Sequence, residues 1–160
     1  MGQLTEILHR LQNARVEFSL IGGLASVHYG VTLVTQDVDI CARFTLENLR
    51  QIETALKDLN PKHRFTTNLL PFELTDELCR SLKNIYLTTD LGVLDCLSEV
   101  IGVGNFDEVL RQSELIKFPF GPCQILKLDA LIKSKLALGR DRDLAAVQQL
   151  RAIKEKIDAD

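Results

Sequence analysis

A chain of 160 residues that is 46% hydrophobic can bury a sizeable core. It is expected to form one domain over residues 1–160, with a core to about 126 and helices over about 127–157. A formal net charge of −3 argues against wholesale coating of a polyanion, and no apolar run approaches the roughly 20 residues of a membrane span. Met1 to Glu6 lacks the basic start and apolar run of an export signal, so a cytoplasmic location without membrane contact is expected. Cys41, Cys79, Cys96 and Cys123 form no C-x-x-C, so they read as reduced, buried thiols rather than a zinc site.

In chain order, Leu4, Ile7, Leu8 and Leu11 fall at helical spacing and predict an N-terminal helix. Phe18 to Ile21 reads as a short strand, followed by Gly22-Gly23 and a helix-like segment from Leu24 to Gly30. Thr35 to Cys41 returns to strand. Thr45 is placed to cap a helix lined by Leu46, Leu49, Ile52, Leu56 and Leu59, stopped by Asn60-Pro61. Lys62 to Phe72 is ambiguous, a strand entering a loop at Pro71, and Thr75 to Leu78 opens a short helix. Asn84–Thr89 and Gly92–Leu97 read as strands around a turn, and Asn105 with Glu108 has the form of a capping box. Ile116–Phe118 and Cys123–Leu126 are strand-like. Two helices then close the chain, with Gly139 as the C-cap of one and Asp141 as the N-cap of the next.

The chemistry-bearing residues stand out against this background. Asp37 and Asp39 flank Val38 in a strand, so their carboxylates share one face and repel unless a cation sits between them; oxygen ligands of this kind suit Mg²⁺. They lie fourteen residues after Gly22-Gly23, a turn able to approach phosphates, and together these read as a nucleotide site. Asp95 interrupts an otherwise apolar strand and needs a partner, whether a shared cation or an ordinary ion pair. In the first C-terminal helix, Leu128, Leu131, Ile132, Leu136 and Leu138 form an apolar stripe with Lys135 near its middle and Lys133 opposite. Asp143 occupies the apolar face of the last helix with Val147 and Leu150. Lys135 could serve a triphosphate or simply pair with Asp143. Gly102-Val103-Gly104 is half a dinucleotide fingerprint, rejected because Asp107 replaces its third glycine, and His28 reads as a packing residue.

The order strand, Gly-Gly, helix, strand with Asp-x-Asp resembles the signature of the nucleotidyltransferase superfamily, the DNA polymerase β-like fold. Ile21 to Gly30, Thr35-x-Asp37-x-Asp39 and the later Leu128 to Leu144 stretch are similar to nucleotidyltransferase-like proteins related to AbiEii-type toxins. This resemblance implies an α/β (α+β) fold, a mixed sheet flanked by helices with a helical C-terminus. It implies an enzyme that moves a nucleoside monophosphate from an NTP to a hydroxyl group, with one or two Mg²⁺ ions. It assigns Gly22 and Gly23 to a phosphate loop, Asp37, Asp39 and Asp95 to metal binding and catalysis, Lys135 to the nucleotide phosphates and Asp143 to its supporting carboxylate. The acceptor would be RNA or a protein, with an antitoxin as a partner. A lincosamide-type antibiotic adenylyltransferase, with a small-molecule acceptor, and a non-catalytic NTP-binding or interaction module are the alternatives. Leu33 stands where many relatives carry arginine, which puts the substrate contact made there in doubt.

Overall fold

The computed structural model describes residues 2–160. Helix α1 (Gly2–Asn13) buries Leu4, Ile7, Leu8 and Leu11, as their spacing predicts. Strand β1 (Phe18–Ile21) runs directly into α2 (Gly22–Tyr29), which is followed by β2 (Asp37–Ala42) and α3 (Leu46–Leu56). A single 3₁₀ turn (Lys57–Leu59), β3 (Lys62–His63), α4 (Asp76–Ser81), β4 (Asn84–Thr89) and β5 (Gly92–Leu97) come next. The short pair β6 (Glu99–Val100) and β7 (Gly104–Asn105) precedes α5 (Phe106–Arg111), and β8 (Ser113–Phe118), β9 (Gly121–Leu126), α6 (Leu128–Leu138) and α7 (Asp141–Ala159) complete the order.

Seven strands form one mixed sheet in the order β3-β4-β5-β2-β1-β9-β8. The β1–β9 and β2–β5 pairs are parallel and the others antiparallel. The Asp-x-Asp strand is therefore the central one, not an edge. Alternation divides β2, β4 and β5 between two faces: Val38, Ile40, Ile85, Leu87, Leu94 and Cys96 are buried on one. Helix α1 covers that side, with Leu4 and Ile7 against Gly92. Asp37, Asp39, Tyr86, Thr88 and Asp95 rise from the other face and keep partial exposure to solvent. No helix is long and apolar enough to cross a membrane among the described residues. All four cysteines are buried and free.

Caps set the helix boundaries with a few departures from expectation. Thr45 and Thr75 accept from Asn48 N and Leu78 N at 3.2 and 3.1 Å. Asn105 caps α5, but Glu108 turns to Arg111 and Gln112 and leaves the return half of the box unmade. Arg140, not Asp141, is the N-cap of α7, because Asp143 three residues on accepts from Arg140 N at 3.2 Å. The α6 stripe also differs: its buried arc is Ala130, Leu131, Ile132, Ser134 and Lys135, whereas Leu136 and Leu138 are 42% and 44% exposed. Leu136 falls outside that arc, and Leu138 lies in the last turn before the Gly139 cap. Residues 62–72 contribute only β3 and an isolated Lys62–Pro71 bridge. Gly102 packs against the α6 backbone at Lys133, a structural use for the Gly-x-Gly step.

Asn48 ties the sheet to α3. Its side chain accepts from Glu17 N at 2.7 Å and donates to Glu17 O and Arg43 O at 3.0 and 2.8 Å, all nearly out of water. Replacing it by alanine strands three backbone groups, and urea unfolding of Asn48→Ala is expected to show a loss of about 2–4 kcal/mol.

Candidate active site

The register of the central strands builds the site. Asp39 lies directly opposite Asp95 across the parallel β2–β5 pair, with Asp37 one step along the same face opposite Val93. On the other flank Asp39 pairs with Ile21, the last residue of β1, so the Gly22-Gly23 turn comes down beside its carboxylate. Gly22 has φ +69°, and a methyl group there would collide with Asp39 Oδ2. Gly23 instead faces Leu33 and Thr35, where an added Cβ would lie 3.3 Å from Leu33 Cδ2 and Thr35 Oγ1. Leu33 itself is exposed at this margin.

Electrostatics follow from the crowding. Burial, and then the charges of Asp95 and Asp37, push the Asp39 carboxyl up from 3.8 to about 6, with Lys135 and the Gly23 N–H acting in the opposite direction. Lys135 is 8% exposed, and burial lowers its pKa while Asp143 and Asp39 pull it back up. Its Nζ stands 3.8 Å from Asp143 Oδ1. Asp143, 1% exposed, is gripped more closely by Arg140, whose Nε and Nη2 donate at 2.6 and 3.1 Å. Burial would raise Asp143, but the Arg140 guanidinium and then Lys135 outweigh it and hold its carboxyl below the usual range. Asp143 thus anchors two cations, Arg140 and Lys135, and Lys135 is shared in charge with Asp39. Lys133, one turn face away, is exposed. His28 is exposed as well and stacks edge-on with Tyr29 and Phe118, away from the carboxylates' strands.

The donor chemistry suits a hard cation at Asp37 and Asp39. Both offer carboxylate oxygens on one strand face, and the missing Cβ at Gly22 keeps space beside Asp39 Oδ2. Asp95 is engaged differently: Arg64 grips both of its oxygens, Nη1 to Oδ1 at 2.5 Å and Nη2 to Oδ2 at 3.1 Å. Among the described residues no three His, Cys, Asp or Glu side chains are gathered as a ready cation cage.

Solved structures share this architecture. A Thermotoga maritima protein provisionally classed as a nucleotidyltransferase aligns over 98% of this chain and 91% of its own, with a TM-score of 0.57 and 18% identity. The lincosamide antibiotic adenylyltransferase LnuA, in its lincomycin-bound form, aligns over 96% and 97% with a TM-score of 0.64 and 14% identity. The antibiotic-resistance factor ANT(2'')-Ia aligns over 99% and 90% with a TM-score of 0.58 and 12% identity. The chain has the nucleotidyltransferase fold. No family model and no curated protein matches its sequence.

Within that nucleotidyltransferase fold, two site residues escaped the sequence reading. Arg64 lies in the ambiguous 62–72 stretch, and its partner Asp95 is 31 residues away, so only the sheet joins them. Arg140 lies within the Leu128 to Leu144 stretch that carries the resemblance but received no role there; its place three residues before the buried Asp143 was a signal that could have been read as an ion pair.

The raised Asp39 carboxyl has a consequence for stability. The folded chain keeps this proton to about pH 6 while an unfolded chain releases it near 3.8, so stability falls as pH rises through that window. Thermal melts in metal-free buffer are expected to show Asp39→Asn more stable than wild type at pH 7.5, by up to about 2–3 kcal/mol, with the gap closing below pH 4.

Proposed function

We propose that this chain is a nucleotidyltransferase that moves a nucleoside monophosphate from an NTP to a hydroxyl of an acceptor. The observation that carries this reading is the Asp39–Asp95 cross-strand pair beneath the Gly22-Gly23 turn, with the buried Lys135 ammonium sharing charge with Asp39. Asp37 and Asp39 would hold Mg²⁺, with Asp95 beside them. Bound there, Mg²⁺ supplies positive charge to the α-phosphate and lowers the pKa of the attacking hydroxyl. The protein's own groups do the rest: the glycine turn lets phosphates approach the backbone, Lys135 neutralises charge that develops on the departing pyrophosphate, and Asp143, itself fixed by Arg140, holds Lys135 in place.

Two acceptor classes fit this chemistry. The resemblance to AbiEii-related proteins in the sequence implies RNA or protein, with an antitoxin as partner. The small-molecule reading, a lincosamide-type adenylyltransferase, is favoured by the near-complete mutual coverage with LnuA, which leaves this chain the size of an enzyme whose bound ligand is lincomycin. Incubating each α-labelled NTP and Mg²⁺ with RNA, cell protein or lincosamides separates them by which fraction takes up label. Label in none of them, with well-folded protein, counts against transfer and for a binding module.

Asp39→Asn is expected to lower transfer more than about a hundredfold at saturating Mg²⁺ while leaving the circular dichroism spectrum unchanged. Turnover equal to wild type removes Asp39 from catalysis. Lys135→Ala is expected to weaken NTP binding about tenfold, whereas Lys133→Ala, on the exposed side of α6, leaves it within about twofold. If Lys135 is purely structural, the same variant instead loses stability, by up to about 3–5 kcal/mol, and Lys135→Met recovers much of it with nucleotide affinity unchanged throughout. Isothermal titration and melting curves on the three variants read out the difference.

A further inference from the structure

Arg64 enters the carboxylate cluster from the connection between β3 and α4. Its fork on Asp95 is partly shielded from water, the two side chains being 25% and 16% exposed. Several contacts hold it: its backbone N–H donates to Tyr86 O at 2.9 Å, Nη1 reaches Leu87 O at 3.4 Å, and the guanidinium lies 4.5 Å from the Phe65 ring centroid and 5.8 Å from that of Tyr86. Tyr86 is the antiparallel partner of Asp95, so ring and carboxylate rise from the same face. Phe65 and Tyr86 meet edge to face, yet Phe65 is 72% exposed, as are much of Leu69 and Leu70 beyond it. The guanidinium thus ends at an acidic cluster while its support is a lightly covered surface stretch.

A guanidinium fork takes one lone pair on each oxygen of a carboxylate and neutralises its charge, and the adjacent positive charge repels a metal ion. Arg64 feels Asp37 and Asp39 as well as Asp95, so its charge bears on the whole cluster. We propose that Arg64 is a displaceable counter-ion, holding Asp95 until a divalent cation competes for that carboxylate and phosphate oxygens offer the guanidinium another partner. Arg64 is in this sense a positioning residue. Phosphate accepts the same bidentate fork that Asp95 does, so the guanidinium can exchange one oxyanion for another without losing its hydrogen bonds. The exchange makes cation binding weak alone and stronger with a triphosphate. This inference rests on the reading of Asp37, Asp39 and Asp95 as a cation site.

Mn²⁺ titrations followed by electron paramagnetic resonance, without nucleotide, test it on the full chain. Arg64→Gln is expected to bind Mn²⁺ about tenfold more tightly than wild type, with the gain lost when Asp39→Asn is added. Arg64→Lys, which keeps the charge but gives up the fork, is expected to gain about threefold and decides the matter if Arg64→Gln does not fold. Equal Mn²⁺ affinity in wild type and the Arg64 variants, still abolished by Asp39→Asn, overturns the counter-ion role and leaves the cation site standing. Mn²⁺ binding that is absent, or indifferent to Asp39→Asn, in every variant overturns both.

Discussion

Three carboxylates on neighbouring central strands constrain everything around them. Asp39 and Asp95 are directly opposed, Asp37 is one step away, and the strands that carry them are held rigid by the sheet on either side. Such a cluster is unfavourable without positive charge close by. The protein meets this from two sides, with Arg64 on Asp95 and the Lys135 ammonium toward Asp39. The Asp39 carboxyl is nonetheless raised, first by burial and then by the charges of Asp95 and Asp37.

The architecture serves that arrangement. One face of the sheet is closed by apolar packing under α1, so the other can be left polar without loss of the core. The glycine turn is bound to the same face because β1 ends opposite Asp39; a side chain at Gly22 would occupy the space beside that carboxylate. The C-terminal helices bring a second pair of cations. Asp143, nearly fully buried, gathers Arg140 and Lys135 into one unit.

The likeness to LnuA, ANT(2'')-Ia and the Thermotoga maritima protein extends over almost the whole chain at identities of 12–18%. At that distance the likeness is one of fold, which rests on which residues face inward rather than on their identity. The Leu33 departure lies at the exposed margin beside Gly23 and Thr35, outside the carboxylate and cation groups themselves.

Local periodicity determined a good deal. The α1 stripe, the strands β1, β2, β4 and β5, the Thr45 and Asn105 caps and the shared face of Asp37 and Asp39 all follow from residues close in sequence, because helical and strand spacing act over one or two turns. Strand order and register do not. That Asp95 lands opposite Asp39, that the Asp-x-Asp strand is central, and that Arg64 reaches Asp95 depend on pairings between segments dozens of residues apart, where either strand partner satisfies the same alternation. The α6 stripe shows the same limit: Leu136 and Leu138 have the character of core residues, but burial is decided by which arc of the helix meets the rest of the fold. Sequence spacing supplies the faces, and only the packed sheet decides which faces meet, since burial and charge pairing are properties of neighbours in space.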